Sequence, residues 1–508
     1  LRQAKALLVS LLTVPAAQAQ EPLSAIDWLD EPVSVNVAAP LAVPLNAPPV
    51  ADGVTVPRVT VMPLDAQQSD SVGLLPGSTT GLPTTLWQAS TTARLSAQLS
   101  NLPATPLPAM QALYYTLLLA EADAPADAGT DAGFLKARLD ALSKFGAVDP
   151  ALALMERAGS ETEPLFDRWL DLSLLAGAED APCAALAKRP SLSPRYSARI
   201  FCTARAGDWQ TAALTYETAQ ALGLLTPLHA DLLGQFLDPE TIDNGPALAP
   251  PPEMTPLTFR LYEAMGRPLP TGGLPRAYAM ADLRPTAGWK ARLEAAERLA
   301  QAGALPSNRL LGLYTERKPA ASGGVWDRVA AIQDFDRALS SAAPERIAAT
   351  LPAAWRAMRA QGLQIAFAEL FGEALIAQPL PDGPAAALAL RIALLSPAYE
   401  SAAPKAGETL PFLAGLARGA PPADQAKTEL ERSIVAAFTA SGPAPAYAGL
   451  LNSGKLGQAI LTAALSLDRA GPRGFDEITD ALSTLRAVGL EDTARRAALQ
   501  LLLLESRG

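Results

Sequence analysis

Apolar residues recur along most of this chain at the spacing of an α-helix rather than a strand. In residues 134–145, Leu135, Leu139 and Leu142 fall on one face, the i, i+4, i+7 pattern of a helix with one side in a core. The stretch opened by Glu163-Pro164 carries Leu165, Phe166, Trp169, Leu170, Leu172 and Leu174. Residues 93–102 and 110–120 repeat the pattern on either side of a Pro-rich turn, and 123–133 reads as a small-residue loop. Asp149-Pro150 supplies a capping side chain and then Pro in the first turn, so a helix is expected from there to Ala158. This alternation of helix and short turn continues to the C-terminus. Breaks are expected near 238–252, 267–275, 318–324, 378–384, 401–408 and 419–422. Residues 475–504 read as two helices around Gly489, and the run Leu499 to Leu504 is too apolar to be left in water.

The first 85 residues break this pattern. Arg2 and Lys5 precede an apolar run over 6–17 and then Gln18-Ala19, the charge order and small-residue ending of a secretory signal peptide. The cut is expected after Ala19, and the run is short of the roughly 20 residues that span a bilayer. From 20 to 85, Pro32, Pro40, Pro44, Pro48 and Pro49 recur among Ala, Val and Asn. Proline fixes φ and removes a donor, so this reads as an extended Pro-rich arm. Two islands interrupt it. Ser24 to Leu29 is a short apolar segment around Trp28, able to anchor in a groove. Residues 54–61 alternate with a period of two, and Pro57 restricts any such strand to a sheet edge. The arm either packs on its own body or adds a strand to a partner.

Composition supports a helical reading of the rest. The 508 residues are 49% hydrophobic but only 6% aromatic, and the balance is largely Ala and Leu, strong helix formers. Val and Ile become scarce after about residue 75. The expected fold is therefore all-α: an irregular α-solenoid or helical-hairpin array over 86–508, with a candidate division into two lobes near 240–255. A formal charge of −10 and the lack of any basic run argue against nucleic acid as a partner. The same acidity disfavours anionic lipid. No segment beyond the leader has the length and apolarity for membrane insertion, so a soluble protein of a bacterial periplasm is expected.

In such an oxidising compartment the pair Cys183 and Cys202 is a candidate disulfide, with two free buried thiols as the alternative. Around the second cysteine, residues 197–206 form one expected helix, Gly207 a turn, and Asp208 the cap of a helix over 209–222. The spacing of Gly207, Trp209, Ala212, Tyr216 and Ala219 resembles the tetratricopeptide helix pair. That resemblance implies a tight glycine turn, small residues that let helices nest, and aromatics filling the groove between them. Fainter echoes lie at 142–158 and 452–469, without the strict repeat of about 34 residues.

Catalytic signals are sparse. A Ser-His-Asp arrangement needs a base, and His229 is the one histidine, at the start of an expected helix with no Gly-x-Ser-x-Gly elbow to serve. No phosphate loop, dinucleotide fingerprint or His-Glu-x-x-His is present, and no cofactor or metal is implied. Periplasmic superhelical proteins include lytic transglycosylases, whose catalytic Glu precedes Ser in a Gly-rich context. Here Glu400-Ser401 is followed by Ala402-Ala403-Pro404 and the rest of that signature is missing. In Ser322 to Arg328, two glycines stand beside Trp326 and Arg328, a candidate interaction point, or else an inter-helix loop whose Trp packs inward. The resulting expectation is a non-catalytic periplasmic scaffold or adaptor. It would hold a protein or peptide partner on its helical surface, with Trp28, Trp326 and Arg328 as candidate contacts. A peptidoglycan-associated protein and a self-assembling envelope protein are the alternatives.

Overall fold

Helix starts follow the sequence signals closely. A computed structural model describes residues 68–238, 240, 248–471 and 474–504. The fold is all-α: among the described residues there is no strand, only a parallel bridge between Leu75 and Ala120. Proline accounts for many of the starts. Pro108, Pro227, Pro256, Pro344, Pro384, Pro411 and Pro445 each stand in the first turn of a helix, where the missing N–H would have no intrahelical partner anyway. Thr91, Asp208, Thr226, Thr255 and Thr428 cap others through a side-chain oxygen.

Some expectations meet the structure differently, and others fall outside it. The break expected over 401–408 is a helix, Tyr399–Ala406, with Pro404 inside it. Pro344–Arg359 likewise runs through Pro352. In the first, Tyr399, Ala402, Ala403 and Ala406 are buried, and that packing outweighs the lost hydrogen bond. The helical body also begins before residue 86. Val72, Leu82, Leu86 and Trp87 are all buried in the common core, and Asp65–Gly508 forms one compact unit. The leader with its cut after Ala19, the segment around Trp28 and the alternating stretch 54–61 lie outside the described residues.

Within this unit the first and last helices meet. The Leu107 N–H and the Tyr114 hydroxyl both donate to Asp468, at 2.6 and 2.7 Å. The Ala109 N–H donates to Gln500 Oε1 at 2.7 Å, and Gln98 Nε2 to Thr462 at 2.8 Å. Helices Thr92–Ser100 and Pro108–Leu119 thereby rest on Leu456–Arg469 and Glu491–Leu503. The Leu499 side chain is buried and Leu501 to Leu504 pack partly against the core. No helix among the described residues is long and apolar enough to cross a membrane.

Candidate binding surface

The helix pair that drew attention in the sequence folds as Tyr196–Arg205 and Trp209–Ala221. Gly207, at φ +90°, turns the chain between them, a conformation costly for any residue with a Cβ. Asp208 then accepts the Thr211 N–H at 3.1 Å to start the second helix. Of that helix only Ala212 and Ala219 are buried, seven residues apart on one narrow stripe. Tyr216 reaches the Ala230 carbonyl of the following helix, Pro227–Leu237, at 3.0 Å. The rest faces outward. Trp209, Leu214, Leu222 and Leu224 are 48%, 65%, 66% and 45% exposed. Among the described residues, the exposed large hydrophobic side chains all belong to this short segment. Single exposed leucines are unremarkable; here four large apolar side chains are exposed within sixteen residues of sequence.

Beside Trp209 opens a cavity of about 550 Å³. One wall is aromatic: Phe236 stands 5.8 Å from Phe201 and 5.6 Å from Trp209, centre to centre. The lining also includes three arginines, Arg205, Arg260 and Arg284, and one carboxylate, Glu263. Beneath them Glu179 is fully buried and accepts from Arg260 at 2.6 Å, with Arg205 3.3 Å away. Glu263 pairs with both Arg260 and Arg284. Glu179 Oε2 and Arg260 Nε are buried with no hydrogen-bond partner among the described residues. The polar capacity of this floor thus exceeds what the surrounding protein satisfies.

The cysteines belong to the same structure. Cys183 lies on Asp180–Lys188, the helix that begins immediately after Glu179, and Cys202 on the helix carrying Phe201 and Arg205. The pair stands at disulfide distance, with Cα atoms 5.0 Å apart. It ties the acidic floor of the cavity to its aromatic and basic walls.

The other residues singled out from sequence are engaged elsewhere. Trp326 is half-buried against Trp289, ring centres 5.0 Å apart. Arg328 donates twice to buried Glu297, at 2.8 and 2.5 Å, and the Tyr314 hydroxyl donates to the same carboxylate. His229 sits between two threonine hydroxyls, Nδ1 3.1 Å from Thr226 and Nε2 3.3 Å from Thr258. Burial lowers its pKa, with nearby Arg195 adding to the effect. Glu400 is a solvent-exposed partner of Arg495 at 2.8 Å. No cluster of three His, Cys, Asp or Glu side chains able to hold a metal exists among the described residues.

Sequence spacing placed the turn at Gly207, and Trp209 at the start of the next helix, without marking either as a contact. It missed Arg205, Arg260, Arg284 and Glu179, which come from four separate segments and share no local motif. A second cavity, of about 430 Å³, lies along the seam between the first and last helices and is lined by Arg94, Gln98, Asn101, Thr462 and Arg469. It has no aromatic wall. No protein-family model, no curated protein and no solved structure matches the chain.

Proposed function

We propose that this chain is a non-catalytic scaffold or adaptor that holds a protein or peptide partner on the segment from Trp209 to Leu224 and the adjoining cavity. The observation that carries this reading is the gathering of exposed large apolar side chains on one helix and the turn after it. Such a surface costs solubility when bare, and a partner that covers it removes that cost. The tetratricopeptide-like spacing around Gly207 supports it, because paired helices of that kind present grooves for peptide segments. The cysteine pair and the leader-like N-terminus favour an oxidising compartment, the periplasm, as the setting.

Selection of random displayed peptides on the full chain tests the proposal. Selected peptides are expected to bind the native chain and to lose at least tenfold in affinity to a Trp209→Ser, Leu214→Ser double variant with an unchanged melting curve. Failure to enrich any peptide, or binding indifferent to the double variant, overturns it. Self-association abolished by the same variant would instead assign the surface to a second copy of the chain.

A further inference from the structure

We infer that the segment this surface receives is both apolar and acidic: an extended peptide that sets a bulky apolar side chain against Trp209 and Phe236 and an Asp or Glu carboxylate against Arg205 and Arg284. The inference rests on the peptide-binding reading above and specifies its partner. The cavity's lining combines aromatic rings with guanidinium groups, and a volume of about 550 Å³ admits a few side chains rather than a folded domain.

The arginines are oriented from behind. Buried Glu179 and half-buried Glu263 hold the guanidinium groups on their inner edges, so little side-chain freedom remains to be lost when a ligand arrives. The outer edges are differently placed. Arg284 donates through Nε to the Ala281 carbonyl and through Nη2 to Glu263, which leaves Nη1 without an acceptor among the described residues. On its outer side Arg205 pairs with Asp180, whose side chain is 86% exposed. An exposed pair of that kind contributes little, and a ligand carboxylate can replace it. A planar guanidinium with fixed orientation can donate two parallel hydrogen bonds to one carboxylate.

Specificity for acid would have to be local. The whole chain carries −10, so its long-range field repels an acidic peptide. The lining itself carries three arginines to one glutamate, but Glu179 and Asp180 also pair with these arginines, so a ligand carboxylate has to take the edge of Arg205 that exposed Asp180 now occupies. A preference for acidic ligands on a strongly acidic protein is therefore diagnostic of these arginines.

The test is the same displayed-peptide selection, carried out in parallel on the native chain and on Arg205→Gln, followed by synthesis of the best peptide and its Glu→Gln or Asp→Asn counterpart with blocked termini. Peptides enriched on the native chain are expected to place Asp or Glu within two residues of Leu, Phe or Trp. The carboxylate peptide should bind at least tenfold more tightly than its amide counterpart, and that ratio should collapse towards one on Arg205→Gln. Enriched peptides without acid, or equal affinity for the two members of the pair, overturn the acidic specificity and leave the binding reading standing. Enrichment of nothing removes both. Should Arg205→Gln fail to fold, the peptide pair measured on the native chain decides the matter alone.

Discussion

Arg138 has no access to solvent, and its guanidinium is spent entirely on backbone. It donates to the carbonyls of Leu118, Val72 and Ala120 at 2.7, 2.6 and 3.2 Å, pinning the segment after Ser71 to the end of helix Pro108–Leu119. Burial lowers its pKa to about 10, against a smaller opposing pull from Asp70. Replacing it with Leu strands those carbonyls in the core, since hydrogen bonds to a charged group contribute about 1.5–3 kcal/mol each. Arg138→Leu is expected to cost roughly 3 kcal/mol or more in urea denaturation, whereas Arg157→Gln, which breaks an exposed pair with Glu121, should cost less than about 1 kcal/mol. His229 offers a second single-residue test because the chain has no other histidine. Its pKa is lowered in the folded state, so as pH falls the unfolded chain takes up the proton first. Stability from this group is complete above the unfolded value near 6.5 and is lost as pH drops through that value towards the lower folded one. His229→Gln should flatten that slope of stability against pH, and an identical slope in the variant would refute the assignment.

At the scale of elements, the Cys183–Cys202 pair joins helix Asp180–Lys188 to helix Tyr196–Arg205 across a sequence separation of 19. A cross-link closing a loop of that length contributes about 3 kcal/mol. Cys183→Ser or Cys202→Ser is therefore expected to lower the urea midpoint of the oxidised protein, and reductant should erase the difference from wild type. If the pair also organises the cavity, reduction should weaken peptide binding before it unfolds the chain. Elements were the most legible level of this sequence, because capping and apolar spacing are local. Gly207, Asp208 and Trp209 fall where spacing placed them, and Gly489 separates Phe475–Ala487 from Glu491–Leu503. What failed was Pro as punctuation over 401–408: Pro404 lies inside a helix whose Tyr399 and Ala face is held by tertiary packing. The arginine cavity was illegible for a related reason. Glu179, Arg205, Arg260 and Arg284 meet only after four segments have packed, and each alone reads as an ordinary charged residue on a helical surface.

For the molecule as a whole, the meeting of the first and last helices turns an array of hairpins into a structure with few independent parts. In an open array each hairpin touches its sequence neighbours, and damage at one end stays there. Here Asp468 and Gln500 accept hydrogen bonds from the Leu107–Tyr114 stretch, and Trp87 packs beside Gly457, close to the far end of the chain. A Cβ at Gly457 would lie 2.4 Å from the Trp87 ring and 2.8 Å from the Leu86 carbonyl, whereas one at Gly312 would meet nothing within 4 Å. Both glycines are in helices, so replacement by Ala separates propensity from packing. Gly312→Ala should stabilise by up to about 1 kcal/mol, and Gly457→Ala should destabilise by about 1–3 kcal/mol because neither the buried ring nor the backbone can yield freely. The distribution of the damage tests closure itself. Amide hydrogen exchange in Gly457→Ala should accelerate together in residues 92–100 and 108–119 and in 456–469 and 491–503, with the middle of the chain less affected. Acceleration confined to the neighbours of residue 457 in sequence would mean that the two ends touch without supporting one another.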